Sequence, residues 1–183
     1  MRPLLIKLIF LCLLFKGIDS YGQEFITDKG TVVFLSKAAL SEFTGESNQL
    51  NGLLDLNKNL LDFYLDLNTI KTGIGLRDRH MRENYLETEK FPFAEFTGKL
   101  STIPDLEEGQ KLEVRTKGLF KIHGVEKEIE VKGHLTRIKS DQIQLEASFN
   151  VLLSDYKIDI PKVMFYELAE EQEVTISAVL IKK

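Results

Sequence analysis

From Ile143 to Leu153 the chain alternates between apolar and polar side chains. Ile143, Leu145, Ala147, Phe149, Val151 and Leu153 fall on one parity, and Gln142, Gln144, Glu146, Ser148 and Asn150 on the other. Successive side chains of an extended strand point to opposite faces, so this run is a strand with one apolar and one solvated face. The pattern recurs upstream. Val125, Ile129, Val131 and Leu135 oppose Glu126, Glu128, Glu130, Lys132 and His134. Leu112, Val114, Phe120 and Ile122 oppose Glu113, Arg115, Lys117 and Lys121. His123-Gly124 between these two runs marks a hairpin turn.

Earlier runs follow the scheme less cleanly. Strands are predicted over Thr31–Ser36, Ser41–Glu46, Leu50–Asn57 and Leu60–Asn68, separated by turn formers such as Asn57-Lys58-Asn59. The last run, Glu173–Ile181, carries Val174, Ile176, Ala178 and Leu180 on one face. Val179 and Ile181 on its other face predict that this end is covered on both sides. About eight or nine strands suit a closed antiparallel barrel of ligand-holding size. A β-sandwich produces the same alternation, and periodicity does not separate the two.

The alternation stops between Thr69 and Phe96. Gly73 and Gly75 break the preceding strand. Arg77–Leu86 then reads as a short helix on which Met81, Tyr85 and Leu86 share a face. Phe91-Pro92 excludes further helix, and Phe93–Leu100 reads as a strand again.

The order of residues here resembles the YceI-like family. Thr69-Ile70-Lys71-Thr72-Gly73, Arg77-Asp78-Arg79-His80-Met81-Arg82 and Lys90-Phe91-Pro92-Phe93-Ala94-Glu95-Phe96 are similar to the family's consecutive motifs. Gly118–Ile129 is similar to its Gly-x-Leu-x-x-x-Gly-Val-x-Lys hairpin. Leu153–Pro161, followed by Glu170–Ile181, is similar to its Asp-Phe/Tyr-x-Ile segment and closing strand. The resemblance spans nearly the whole chain after the first two dozen residues. It implies an all-β fold, an antiparallel lipocalin-like barrel of about eight strands with a short helical insertion. It also implies a long isoprenoid or similar lipid inside the barrel. The chain departs from the simplest pattern at Ile160-Pro161-Lys162-Val163-Met164-Phe165, an apolar insert expected to close one end or offer a contact surface.

The N-terminus reads as a targeting segment. Arg2 precedes an apolar run, Leu4–Phe15, broken only by Lys7, and Ser20 and Gly22 put small residues where a signal peptidase inspects the chain. Residues 1–22 are therefore expected to be a cleaved signal peptide, and residues 23–183 one periplasmic or secreted domain. A lipoprotein is disfavoured because Leu11, before Cys12, is not small. Cleavage removes this lone cysteine, leaving neither a disulfide nor a thiolate site. It also removes three cations and one anion, so the formal charge moves from −4 to −6. An acidic protein gains no counterion-release energy from nucleic acid and is not drawn to anionic head groups. Beyond the N-terminus no stretch reaches the ~20 apolar residues that span a bilayer, so stable membrane insertion is not expected.

Catalytic signals are thin. His80, His123 and His134 lack helical metal spacing, and neither HExxH nor Gly-x-Ser-x-Gly is present. No metal, cofactor or catalytic residue is assigned. The densest polar cluster is Arg77, Asp78, Arg79, His80 and Arg82. Arg77, Arg79 and His80 are candidates for a head-group clamp at a barrel mouth. The structural alternative is a helix whose arginines pair with Asp78, Glu83 and Glu87.

Candidate cavity-lining residues are the phenylalanines Phe34, Phe63, Phe96, Phe120 and Phe149. Leu54, Leu56, Leu65, Leu67, Met81 and Val151 join them. The expected function is non-catalytic binding of a polyisoprenoid, quinone or fatty-acid-like amphiphile for transport or storage in the cell envelope. The alternative is a protein-interaction module on a solid barrel, in envelope stress or redox processes. The sequence leaves a homodimer open.

Overall fold

The computed structural model describes residues 23–160 and 168–183. The proposed signal peptide and the insert after Ile160 lie outside these residues. Eight strands form the fold: β1 (Glu24–Lys37), β2 (Glu42–Asp55), β3 (Leu60–Asp66), β4 (Phe93–Leu100), β5 (Lys111–Ile122), β6 (Val125–Lys139), β7 (Gln142–Leu152) and β8 (Glu171–Lys182). Each pairs antiparallel with the next, and β8 returns to β1, closing the barrel. Closure leaves no strand edge unpaired along the sheet, and it is the barrel that the family resemblance implies.

The hairpin at His123-Gly124 has φ of 52° and 71° at its two central residues. That is the primed turn whose twist matches the flanking strands. It sets Ile122 opposite Val125 and runs the register unbroken to Lys111 opposite Thr136.

Two expectations about strands change. Ser41–Glu46 and Leu50–Asn57 belong to one strand, β2, rather than two. The register with β1 slips between Val32↔Ser47 and Gly30↔Leu50. Phe43, Gly45 and Ser47 take the inner parity before this bulge, and Leu50, Gly52 and Leu54 after it. A bulge shifts parity without ending the pairing, which in sequence looks like a break. Val179 and Ile181 are not covered: they stand 42% and 51% exposed on the outer surface, where Ile181 faces the exposed Ile26.

The β3–β4 connection holds the helical insertion. A 3-10 turn (Leu67–Thr69) leads to α1 (Gly75–His80), which runs into a π turn (Met81–Tyr85). The helix thus starts two residues before the predicted Arg77. Met81 and Leu86 are both buried, although five residues would put them on different faces of an α-helix. The π turn reconciles them, with the Leu86 N–H donating to the Met81 carbonyl at 2.9 Å.

The two ends of the barrel differ. At the end holding the β2–β3 and β6–β7 turns, Phe25, Leu54, Leu135, Ile143 and Leu180 are at most 1% exposed and form a plug. The opposite end carries the β1–β2 turn, the helical insertion, the β5–β6 hairpin and the β7–β8 connection.

Candidate functional site

Above the plug the barrel is hollow. A cavity of about 470 Å³ occupies the half nearer the helical insertion, within the ~300–1,000 Å³ of typical ligand sites. Its deepest wall residues are Leu50, Leu61, Thr116, Val131 and Leu145. Further up stand Val32, Ala147, Val174 and Ile176, and the insertion contributes Ile74, Leu76, Tyr85 and Leu86.

The sequence candidates divide by height in the barrel. Phe34, Phe63, Leu65, Leu67, Met81, Phe96, Phe120, Phe149 and Val151 all stand on the cavity wall. Leu54 and Leu56 do not: they are 1% and 4% exposed and sit at the plugged end. Arg77 and His80 are on the wall, whereas Arg79 is exposed on the other side of α1. A two-residue step turns a helix by more than half a circle, so Arg77 and Arg79 cannot share one face.

The wall stays open because phenylalanines lie against glycines of the neighbouring strand. Gly45 is opposite Phe34, and Gly52 is opposite Phe63. A side chain at either glycine would overlap the phenylalanine ring. Phe96 likewise covers Gly98 and Gly118, where an added methyl would come within 2.8 Å of its ring. Each ring therefore folds flat onto backbone instead of projecting across the lumen. The register Phe63↔Phe96↔Phe120 runs these rings across three strands. The next position, Lys127 on β6, turns away to Asp155 at 2.5 Å. Phe120 instead meets Phe149 of β7 edge to face, with centroids 5.4 Å apart. None of these glycines stands out in the alternation, because their role exists only across strands.

The insertion is anchored at two points. Asp78, 7% exposed, accepts the Thr72 N–H at 2.8 Å and the Thr72 hydroxyl at 2.6 Å. Burial pushes its carboxyl up, but the Thr72 bonds, aided by Lys71 and Arg82, outweigh this and hold it below the usual range. The second anchor is His123. Its Nε2 meets Glu87 at 2.9 Å and its Nδ1 the Tyr156 carbonyl at 3.1 Å. Both bonds form together only when both ring nitrogens carry protons, since carboxylate and carbonyl are acceptors. The ring also packs edge to face on Phe91 at 4.9 Å. Lys90 first, and His123 second, hold the Glu87 carboxyl below its ordinary range.

Where arginine partners were expected, Asp78 bonds Thr72, and Glu87 bonds Lys90 and His123. Arg77 instead stacks 4.1 Å over the Phe43 ring at the cavity mouth. Among the described residues no group of three metal-ligating side chains forms, and no helix is long and apolar enough to cross a membrane.

Asp78→Ala is expected to cost about 2 kcal/mol at neutral pH, because it orphans the two half-buried donors of Thr72. The folded carboxyl titrates below the unfolded one, so its stabilisation is complete above about pH 4 and disappears as pH falls through the folded value. Urea midpoints should therefore differ between variant and parent at pH 7 and draw together as the pH falls through the folded carboxyl's range. A constant gap across that range would assign the effect to packing alone.

The comparisons with known proteins agree with this architecture. A polyisoprenoid binding domain from Saccharophagus degradans, implicated in plant cell wall breakdown, superposes with a TM-score of 0.78 at 18% identity, over 88% of this chain and 99% of that one. BcnA of Burkholderia cenocepacia gives 0.64 at 11% identity, over 82% and 95%. The Campylobacter jejuni YceI protein gives 0.63 at 18% identity, over 79% and 87%. At these identities the likeness is one of fold. No curated protein matches the chain. The YceI-like domain model matches residues 24–180, and the chain belongs to the YceI-like family.

Proposed function

We propose that this protein is an exported, non-catalytic binding protein that holds a polyisoprenoid or similar amphiphile in its barrel, for transport or storage in the cell envelope. The observation that carries the reading is the hollow, apolar cavity, sealed by the plug at one end and reached from the other. Each buried methylene contributes about 0.8 kcal/mol, so a hydrocarbon chain binds such a wall with few polar contacts. Several polar groups also line the wall. The Thr116 hydroxyl donates to the Val131 carbonyl at 3.1 Å. Among the described residues neither Ser41 nor His80 bonds another side chain. Arg77 and His80 line the cavity, which supports a polar head group lying beside them. Membership of the family, and the polyisoprenoid-binding name of one structural neighbour, point to the same class of cargo. The leader-like residues 1–22 support export.

Native mass spectrometry of protein purified from the envelope without detergent, followed by lipid extraction, tests the reading. The expected result is a discrete added mass matching an isoprenoid, a quinone or a fatty acid. A bare protein mass, with no uptake of added isoprenoids, would favour the interaction module instead.

A further inference from the structure

We infer that the barrel is a length gauge: it encloses one hydrocarbon chain of roughly 16 carbons, given about 30 Å³ per heavy atom in a condensed phase and a cavity of about 470 Å³. The inference rests on the lipid-binding reading above and adds the size class of the cargo. The floor is set by height. Thr116, Val131 and Leu145 line the cavity, but Val114, Gly133 and Ile143, the next inward positions towards the plug, do not. Ile143 and Leu54 belong to a layer at most 1% exposed, so a chain cannot extend through it.

The bore is set by the seated rings. Phe63 against Gly52 and Phe34 against Gly45 widen the lumen by the thickness of a ring that would otherwise cross it. A glycine opposite a phenylalanine is therefore a specificity-determining pair. Its two members exchange volume directly with the ligand. A chain longer than the cavity leaves its remainder at the mouth, where further carbons are not enclosed and add little affinity.

The test is a binding series on the mature protein with prenols of ten, fifteen, twenty and forty carbons, and in parallel with straight-chain alkanols. Affinity should rise at least tenfold up to roughly 16 carbons, as each enclosed methylene adds its transfer energy, and then level off. Both series should break at the same carbon number if length alone is read. A break in the prenols only would identify branched chains as the cargo. Gly52→Val should drive the Phe63 ring into the lumen and move the break to shorter chains. Should that variant fail to fold, Phe63→Ala, which opens space above Gly52, should move the break to longer chains. Affinity that keeps rising to forty carbons overturns the gauge and leaves lipid binding standing. A break that neither variant moves overturns the role of the seated rings. No binding of any chain overturns the lipid-binding reading and the gauge with it.

Discussion

Phe25→Ala is expected to destabilise the barrel by about 3–5 kcal/mol, the range for deleting a fully buried phenylalanine. Phe25 is 1% exposed and faces Leu54 in register, within the plug that also holds Leu135, Ile143 and Leu180. The Arg137 guanidinium lies 5.7 Å from its ring and covers the outer side. Closed sheet surrounds the site, so its neighbours cannot collapse into the space left behind, and lost transfer energy and cavity cost add. Phe34→Ala should cost clearly less, because Phe34 is half-buried and already borders open volume. The urea midpoint should shift strongly for Phe25→Ala with little change in slope. Equal losses for the two variants would mean that the two ends of the barrel are packed alike.

His123→Ala is expected to cost about 2–3 kcal/mol, since it removes two hydrogen bonds, one of them to a charged group. The side chain is 11% exposed and joins three segments: its own hairpin, the Glu87–Phe91 stretch and the Tyr156 turn. Losing it unties the insertion from the barrel rim at one place. Hydrogen exchange should quicken in residues 86–92 and 153–158, while the plug strands keep their protection. A variant that loses stability with unchanged exchange in both segments would disprove the latch. This histidine was legible only as a turn residue, because its partners come 36 residues before it and 33 after.

Strand parity was the readable part of the molecule. Inward and outward residues on β5, β6 and β7 follow from a local rule with a period of two. The bulge in β2 escaped that rule, because a bulge is a relation between two strands and not a property of one. The helical insertion was placed within two residues at its start, but its π turn was not. Met81 and Leu86 read simply as apolar residues near one another. Among candidate lining residues, the phenylalanines were found by size and parity. Leu54 and Leu56 have the same chemistry and parity as true wall residues and differ only in depth.

The family, the all-β class with its antiparallel barrel, the inner face of most strands and the position of the insertion are readable from the residue order. Each of these is encoded in residues adjacent along the chain. The folded structure, and not the residue order, settles which end is plugged and which is hollow, and that Arg77 rather than Arg79 reaches the lumen. It also decided that glycines on one strand seat the phenylalanines of the next. Those outcomes depend on how far along the barrel axis a residue stands and on what faces it across a strand pair. Period-two patterning is silent on both, because it records the face of a side chain and never its height or its partner.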